Sequence, residues 1–153
     1  YVEKILILDL DVHQGDGTID ICQGEPKIFT CSIHSESNFP FKKKQGWMDI
    51  GLPAGTKDKA YLDILSQTLD SIQSSLTPDL ILFDAGIDVY TNDGLGNLEL
   101  SIEGIRKRDQ LVFEYFRGRG IPVATVIGGG YSQDRQELAN RHGLIFESAI
   151  NYL

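Results

Sequence analysis

The chain has little cysteine, no surplus of positive charge and no long apolar run, and each shortage removes a class of protein. Cys22 and Cys31 are its two thiols, and no CxxC pair is present. That excludes a disulfide framework, and both are expected to be reduced and buried, as in an intracellular protein. Acidic residues outnumber basic ones 22 to 14, giving a net charge of -8. A nucleic-acid partner normally meets a basic face, so no direct nucleic-acid binding is expected. The one basic run, Lys42-Lys43-Lys44, reads as a solvated loop. No apolar stretch is long enough to span a bilayer, so no membrane partner is expected. With no leader-like segment either, the expected location is the cytoplasm, or the nucleus in a eukaryote. GxGxxG and the P-loop lysine are missing, which argues against a phosphate cradle. No repeat, low-complexity tract or linker interrupts the pattern.

What is present fits one α/β domain over residues 1–153. With 41% apolar residues, 153 positions suffice to fill one core. Strand patterns at Lys4–Leu8, Ile28–Ile33, Leu80–Phe83 and Val123–Ile127 alternate with helical patterns at Lys57–Leu76, Ser101–Arg117 and Gln133–Ile150. Met48–Leu52 is a candidate short extra strand. Such alternation predicts a mostly parallel sheet with helices on both faces. Thr56 and Ser101 have the chemistry of helix N-caps. Tyr61, Ile64, Leu65, Thr68, Leu69 and Ile72 recur at helical spacing and predict a core-facing stripe, and Thr77-Pro78 ends that helix. The chain enters its first strand within four residues and has no initiator methionine, so it reads as a piece of something longer. Residues Ser35–Trp47 and Val89–Leu100 form long loops after strand ends, on the sheet edge where open α/β folds bind ligands.

Chemistry gathers at three such strand ends. The first carries Asp9, Asp11 and His13, the second Asp84 and Asp88, and the third Gly128-Gly129-Gly130-Tyr131. In extended chain, Asp11 and His13 would point to the same side and could meet at one ion. Adding Asp88 gives a donor set that leaves a position open on zinc, as catalytic rather than structural sites do. Ferrous iron or cobalt would suit the same donors. Two carboxylates nearly cancel a dication's charge, so bound water would need an additional base. Alone, Asp11 reads as a helix cap and His13 as a satisfied strand-end histidine; with Asp88 and Tyr131 the functional reading is the better one. The glycine run lets the phenol of Tyr131 swing toward an oxyanion.

Those motifs carry a resemblance. DLDVHQGDG, a Ser-Ile-His strand, DAGID, NDGLGNLELS and GGGY, in that order, resemble the second half of the histone deacetylase catalytic domain. The HQG form, LGNLELSIEGIRKRD and the short GGGY are most similar to the class IV branch and its bacterial relatives. The resemblance implies the arginase/deacetylase-like fold, without its N-terminal strands, and zinc-dependent hydrolysis of acyl-lysine. It implies ligation by Asp11, His13 and Asp88, with Tyr131 polarising the amide carbonyl. Phe39, Leu95, Gly129 and Gly130 would line a narrow acyl channel. A monovalent cation, K+, would be held by backbone carbonyls of Asp9, Asp11, His13 and Ile33 and by the Ser32 hydroxyl. The substrate would be an acylated lysine of a protein or a small acetylated amine, and the class IV likeness hints at long acyl groups.

One departure is large. The family's paired histidines lie upstream of the DLD strand, and His34 and His142 do not replace them. Asp9 and Asp16, which in the family bond those histidines, are expected to lack partners. The polypeptide by itself is therefore expected to be impaired, with a bare sheet edge that pairs with a missing half or with another copy. Two other readings begin from the same residues. An aspartyl-phosphatase would need Thr or Val at position 13 and a downstream Lys with an acidic pair. An arginase-type hydrolase of small amines would need more Asp and His around the first motif.

Overall fold

A computed structural model of the chain describes residues 1–152. The elements are β1 (Ile5–Asp9), α1 (Asp16–Cys22), β2 (Ile28–Ser35), β3 (Met48–Leu52), α2 (Asp58–Ser75), β4 (Leu80–Asp84), α3 (Ile102–Arg117), β5 (Val123–Val126) and α4 (Arg135–Ile150). All four strand pairings are parallel, in the order β3-β2-β1-β4-β5. The chain leaves β1 toward β2 and β3, then crosses back to β4 and β5. Strand order thus reverses between β1 and β4, and open α/β sheets bind ligands in the crevice at such a point.

In-register neighbours share a face, so Leu6, Leu8, Cys31, Ile33, Ile81 and Phe83 all point one way and all are buried. Tyr61, Leu65, Leu69 and Ile72 of α2, with Ile105, Val112 and Phe116 of α3, complete that core. Full burial of each leucine or phenylalanine contributes about 1.5–3 kcal/mol. α4 adds Leu144 and Ile145. The opposite face is covered unequally. α1 lies over β2 there, with Ile19 buried. Leu82, Val126 and Ile127 remain 38%, 60% and 54% exposed. Helices do lie on both faces, but three serve one face and a two-turn helix the other.

Local chemistry explains most boundaries. Ser101 caps α3 by accepting from Gly104 N at 3.0 Å. It also joins two helix starts, because Asp58 accepts from its backbone N at 2.8 Å and its hydroxyl at 2.6 Å. Thr56 is not the cap of α2. Lys57 occupies that position in extended conformation, and the Thr56 hydroxyl donates to the Pro53 carbonyl instead. Cys31 is buried as expected, its thiol pushed up to about 12 by burial, but Cys22 is only half-buried. In the basic run, the Lys43 ammonium closes its loop by donating to the carbonyls of Asn38 and Pro40. Among the described residues no helix is long and apolar enough to cross a membrane.

Candidate metal centre

Asp9 is the last residue of β1, and the chain curls immediately after it. Its Oδ1 accepts from Asp11 N at 3.0 Å, and Asp11 Oδ1 accepts from His13 N at 2.9 Å. Two successive aspartate turns therefore bring Asp11 and His13 together, rather than the extended chain the spacing predicts. Asp88 arrives from the end of β4. It is fully buried, and its Oδ1 accepts from Val12 N at 2.9 Å. Asp11, His13 and Asp88 each offer a ligand atom within 4.8 Å of the others. Among the described residues this is the one such group.

The donors fit a divalent cation. Asp88 Oδ2 lies 3.2 Å from His13 Nδ1, yet it is buried without a well-oriented hydrogen bond. A cation would satisfy that orphaned oxygen. Gly129 closes the far side, its N donating to Asp11 Oδ2 at 2.7 Å. A side chain there would overlap carboxylate oxygens of both Asp11 and Asp88, so the close approach needs glycine.

The hydrogen bond to Asp11, followed by the close Asp88 carboxylate, pushes the His13 imidazole up to about 10. Burial works to raise Asp11, but bonds from His13 and from the Gly129 N–H outweigh it and hold that carboxyl low. Burial prevails at Asp88, which is raised. Because its pKa is raised, His13 stays protonated from neutrality to about pH 10, and an entering cation must expel that proton. Near neutrality we expect about one proton released per ion bound, with affinity rising about tenfold per pH unit. Calorimetry in buffers of different ionisation enthalpy reads this directly; pH-independent affinity without proton release would contradict it.

Asp9 and Asp16 are not partnerless. Asp9 holds the Asp11 N–H, and Asp16 Oδ1 accepts from Gly17 N at 3.0 Å in the first turn of α1. Burial, followed by the charge of Asp84, raises the Asp9 carboxyl well above its ordinary value. Asp84 itself is pushed to about 6 by burial and then by Asp11, and its Oδ1 has no partner. Ser32 is the register partner of Asp9, and both Ser32 and Ile33 are buried beside the turn. The Ser32 hydroxyl meets His34 Nδ1 at 3.0 Å. His34 lies inside β2, which runs two residues beyond its expected end.

Tyr131 is 44% exposed on a cavity of about 540 Å³ shared with Leu95, Gly130 and Leu138. Burial and the charges of Asp88, Asp11 and Asp93 raise its phenol, which keeps it protonated as a donor must be. Phe39 is not on that cavity's lining, and Gly129 abuts the carboxylates instead. The two long loops are nonetheless stitched, Asn38 donating to the Leu95 carbonyl at 2.9 Å and Asn97 to Ser37 Oγ at 3.1 Å. Three supporting residues escaped the sequence reading: Arg108, Asp93 and Arg141. Arg108 is fully buried and donates to the carbonyls of Leu10, Ala85 and Gly86, behind both ligand-bearing turns. A charged pair on the buried stripe of α3 was the signal that could have found it.

Fold and site define an open α/β protein with a cation-ligand cluster at its topological switch point. The chain belongs to the histone deacetylase family: the family's domain, "Histone deacetylase domain", matches residues 1–144. An uncharacterised protein of Picosynechococcus is 46% identical over 147 residues, covering 96% of this chain and 49% of that protein. Histone deacetylase 2 of Arabidopsis thaliana is 29% identical over 154 residues, covering 94% and 40%. The structure of a histone deacetylase homologue from Aquifex aeolicus superposes with a TM-score of 0.80 at 28% identity, covering 96% and 42%. An acetylpolyamine aminohydrolase from Burkholderia pseudomallei shares the fold, with a TM-score of 0.79 at 21% identity, covering 96% and 45%. The chain thus spans between 40% and 49% of the length of these four relatives.

Proposed function

We propose that the protein containing this chain is a metal-dependent amidohydrolase of acyl-lysine or of a small acetylated amine. The observation that carries the reading is the convergence of Asp11, His13 and Asp88 at the switch point. These residues would hold zinc, with ferrous iron or cobalt as alternatives, and the ion would supply a Lewis acid for the acyl carbonyl and an acidified water. Tyr131 would donate its phenolic hydrogen to the developing oxyanion, in a cavity walled by Leu95 and Gly130. Asp9, Asp11, His13, Ser32 and Ile33 would hold K+ behind the turn. Neither His34 nor His142 joins the ligand group, and the paired histidines that the resemblance assigns as general base have no counterpart among residues 1–153, whose three histidines are all isolated. Loss of a general base costs about 10²–10⁴ in rate, so these 153 residues by themselves should turn over near background.

The test is hydrolysis of an acetyl-lysine peptide and an acetylated polyamine by the full-length protein, with and without a zinc chelator. Chelator-sensitive release of acetate from either is expected. Activity indifferent to chelation, or none on either substrate, would overturn the assignment.

The exposed Leu82, Val126 and Ile127 favour a second reading, an interaction module that associates through its uncovered sheet face and edge. Sedimentation separates it. A monomer that binds no apolar dye would count against it.

A further inference from the structure

We propose that Asp93 and Arg141 are positioning residues that hold Tyr131 and the Leu95 wall of the cavity as one unit. The proposal rests on the reading of Tyr131 as the oxyanion donor. Asp93 lies in the loop after β4 and Arg141 in α4, and their side chains are 0% and 2% exposed. Tyr131 N donates to Asp93 Oδ2 at 2.7 Å, and Arg141 Nη2 donates to the Tyr131 carbonyl at 3.2 Å. Both polar backbone atoms of Tyr131 are thus taken by the two halves of one ion pair, whose own separation is 3.3 Å. The other oxygen of Asp93 accepts from Leu95 N at 3.0 Å and Gly96 N at 3.1 Å.

The clamp answers a physical need. Three glycines precede Tyr131, so that turn has no side chains of its own to fix its path. The ring is 44% exposed, so packing does not fix it either. A catalytic group must be held within about 0.5 Å and 10–20° of its productive geometry. Something rigid must supply that, and here it is the buried pair. Arg141 is itself held, with the Glu137 carboxylate 2.7 Å from its Nε and the Tyr90 ring centroid 4.8 Å from its guanidinium carbon. Burying an ion pair contributes little net stability, because desolvation opposes the attraction. A pair placed here makes better sense as a device for geometry. Since one carboxylate grips both Tyr131 and Leu95, the donor and the wall that would flank a substrate cannot shift independently.

The test uses the metal-loaded full-length protein with Asp93→Asn, and with Arg141→Lys as the milder change should the first fail to fold. Asp93→Asn should lower kcat by about 10²-fold, the loss typical of a misplaced group, with metal content unchanged. Arg141→Lys should lower it by about tenfold. In a Tyr131→Phe background either change should cost less than about twofold, since groups that act through one residue are not additive. Losses that multiply in the double variants would overturn the clamp, because a merely structural role acts independently of the phenol. Tyrosine labelled with ¹³C on the ring gives a readout free of activity. The Tyr131 signal should shift or broaden in Asp93→Asn, and an unchanged signal would overturn the proposal. If the parent protein hydrolyses no acyl-lysine, the reading of the reaction fails, and that signal alone decides the clamp.

Discussion

Alanine in place of Asp88 is expected to eliminate stoichiometric zinc binding, weakening affinity by two orders of magnitude or more. Asp88 is fully buried and anchors the Val12 N–H through one oxygen while the other faces His13. Truncation would remove one of the three candidate donors and at once free the turn that carries the other two. Replacing mere outer partners of metal ligands costs about 10–100-fold, so a ligand should cost more. Asp88→Asn separates the two losses. It keeps an oxygen for Val12 but gives up the charge, and its affinity should fall between those of the parent and the alanine variant. Metal content by mass spectrometry reads the outcome; a full complement of zinc in Asp88→Ala would take this residue out of the ligand set.

Arg108→Met should produce the largest loss of stability of any single change outside the aliphatic core. The guanidinium sits at full burial, 2.8 Å from Asp109 Oδ1, with three loop carbonyls as further acceptors. Methionine fills much of the volume but strands the buried Asp109 carboxylate. Breaking a buried pair from one side costs about 3–5 kcal/mol. Burial already pushes the Asp109 carboxyl up against the opposing pull of Arg108, so removal of the arginine should drive it to protonate. Replacing Asp109 by leucine in the same protein should recover part of the loss, since no charge is then left alone. Urea denaturation at constant m-value measures both. A loss under about 1 kcal/mol for Arg108→Met would mean that the pair is relieved by water.

The sheet was legible because its strands are short apolar runs, each ending at a turn residue. Met48–Leu52 has the bounds expected of it, β1 is shifted by one residue at both ends, and the other three strands differ by one or two residues at one end. α1 was not legible. It is seven residues long, opens on glycines, and buries only Ile19, so it carries no periodic stripe to detect. The candidate ligand group was legible because Asp11, His13 and Asp88 lie on recognisable strand ends, which the fold brings within 4.8 Å of one another. Its supports were not, for two physical reasons. Asp93 and Arg141 are 48 positions apart, and nothing local marks them as partners. Arg108 and Asp109 look like a solvated pair until Ile105, Val112 and Phe116 are seen to bury the same side of the helix. The turns at Asp9 and Asp11 show a subtler limit. The pairing of Asp11 with His13 was right in outcome but arises from side chains bonding the backbone two residues on.

The returns of the chain to the amino edge that follow α1, α2 and α3 lie at the opposite end from the chemistry. The segments 23–27, 76–79 and 118–122 make those returns, and Ser74, Glu25 and Arg119 beside or within them are exposed. A dye, a biotin tether or a short inserted epitope at those places would stand a full strand length from Asp11, His13 and Asp88. Handles for immobilisation and spectroscopy can therefore be added there without disturbing the end of the molecule where catalysis is sought.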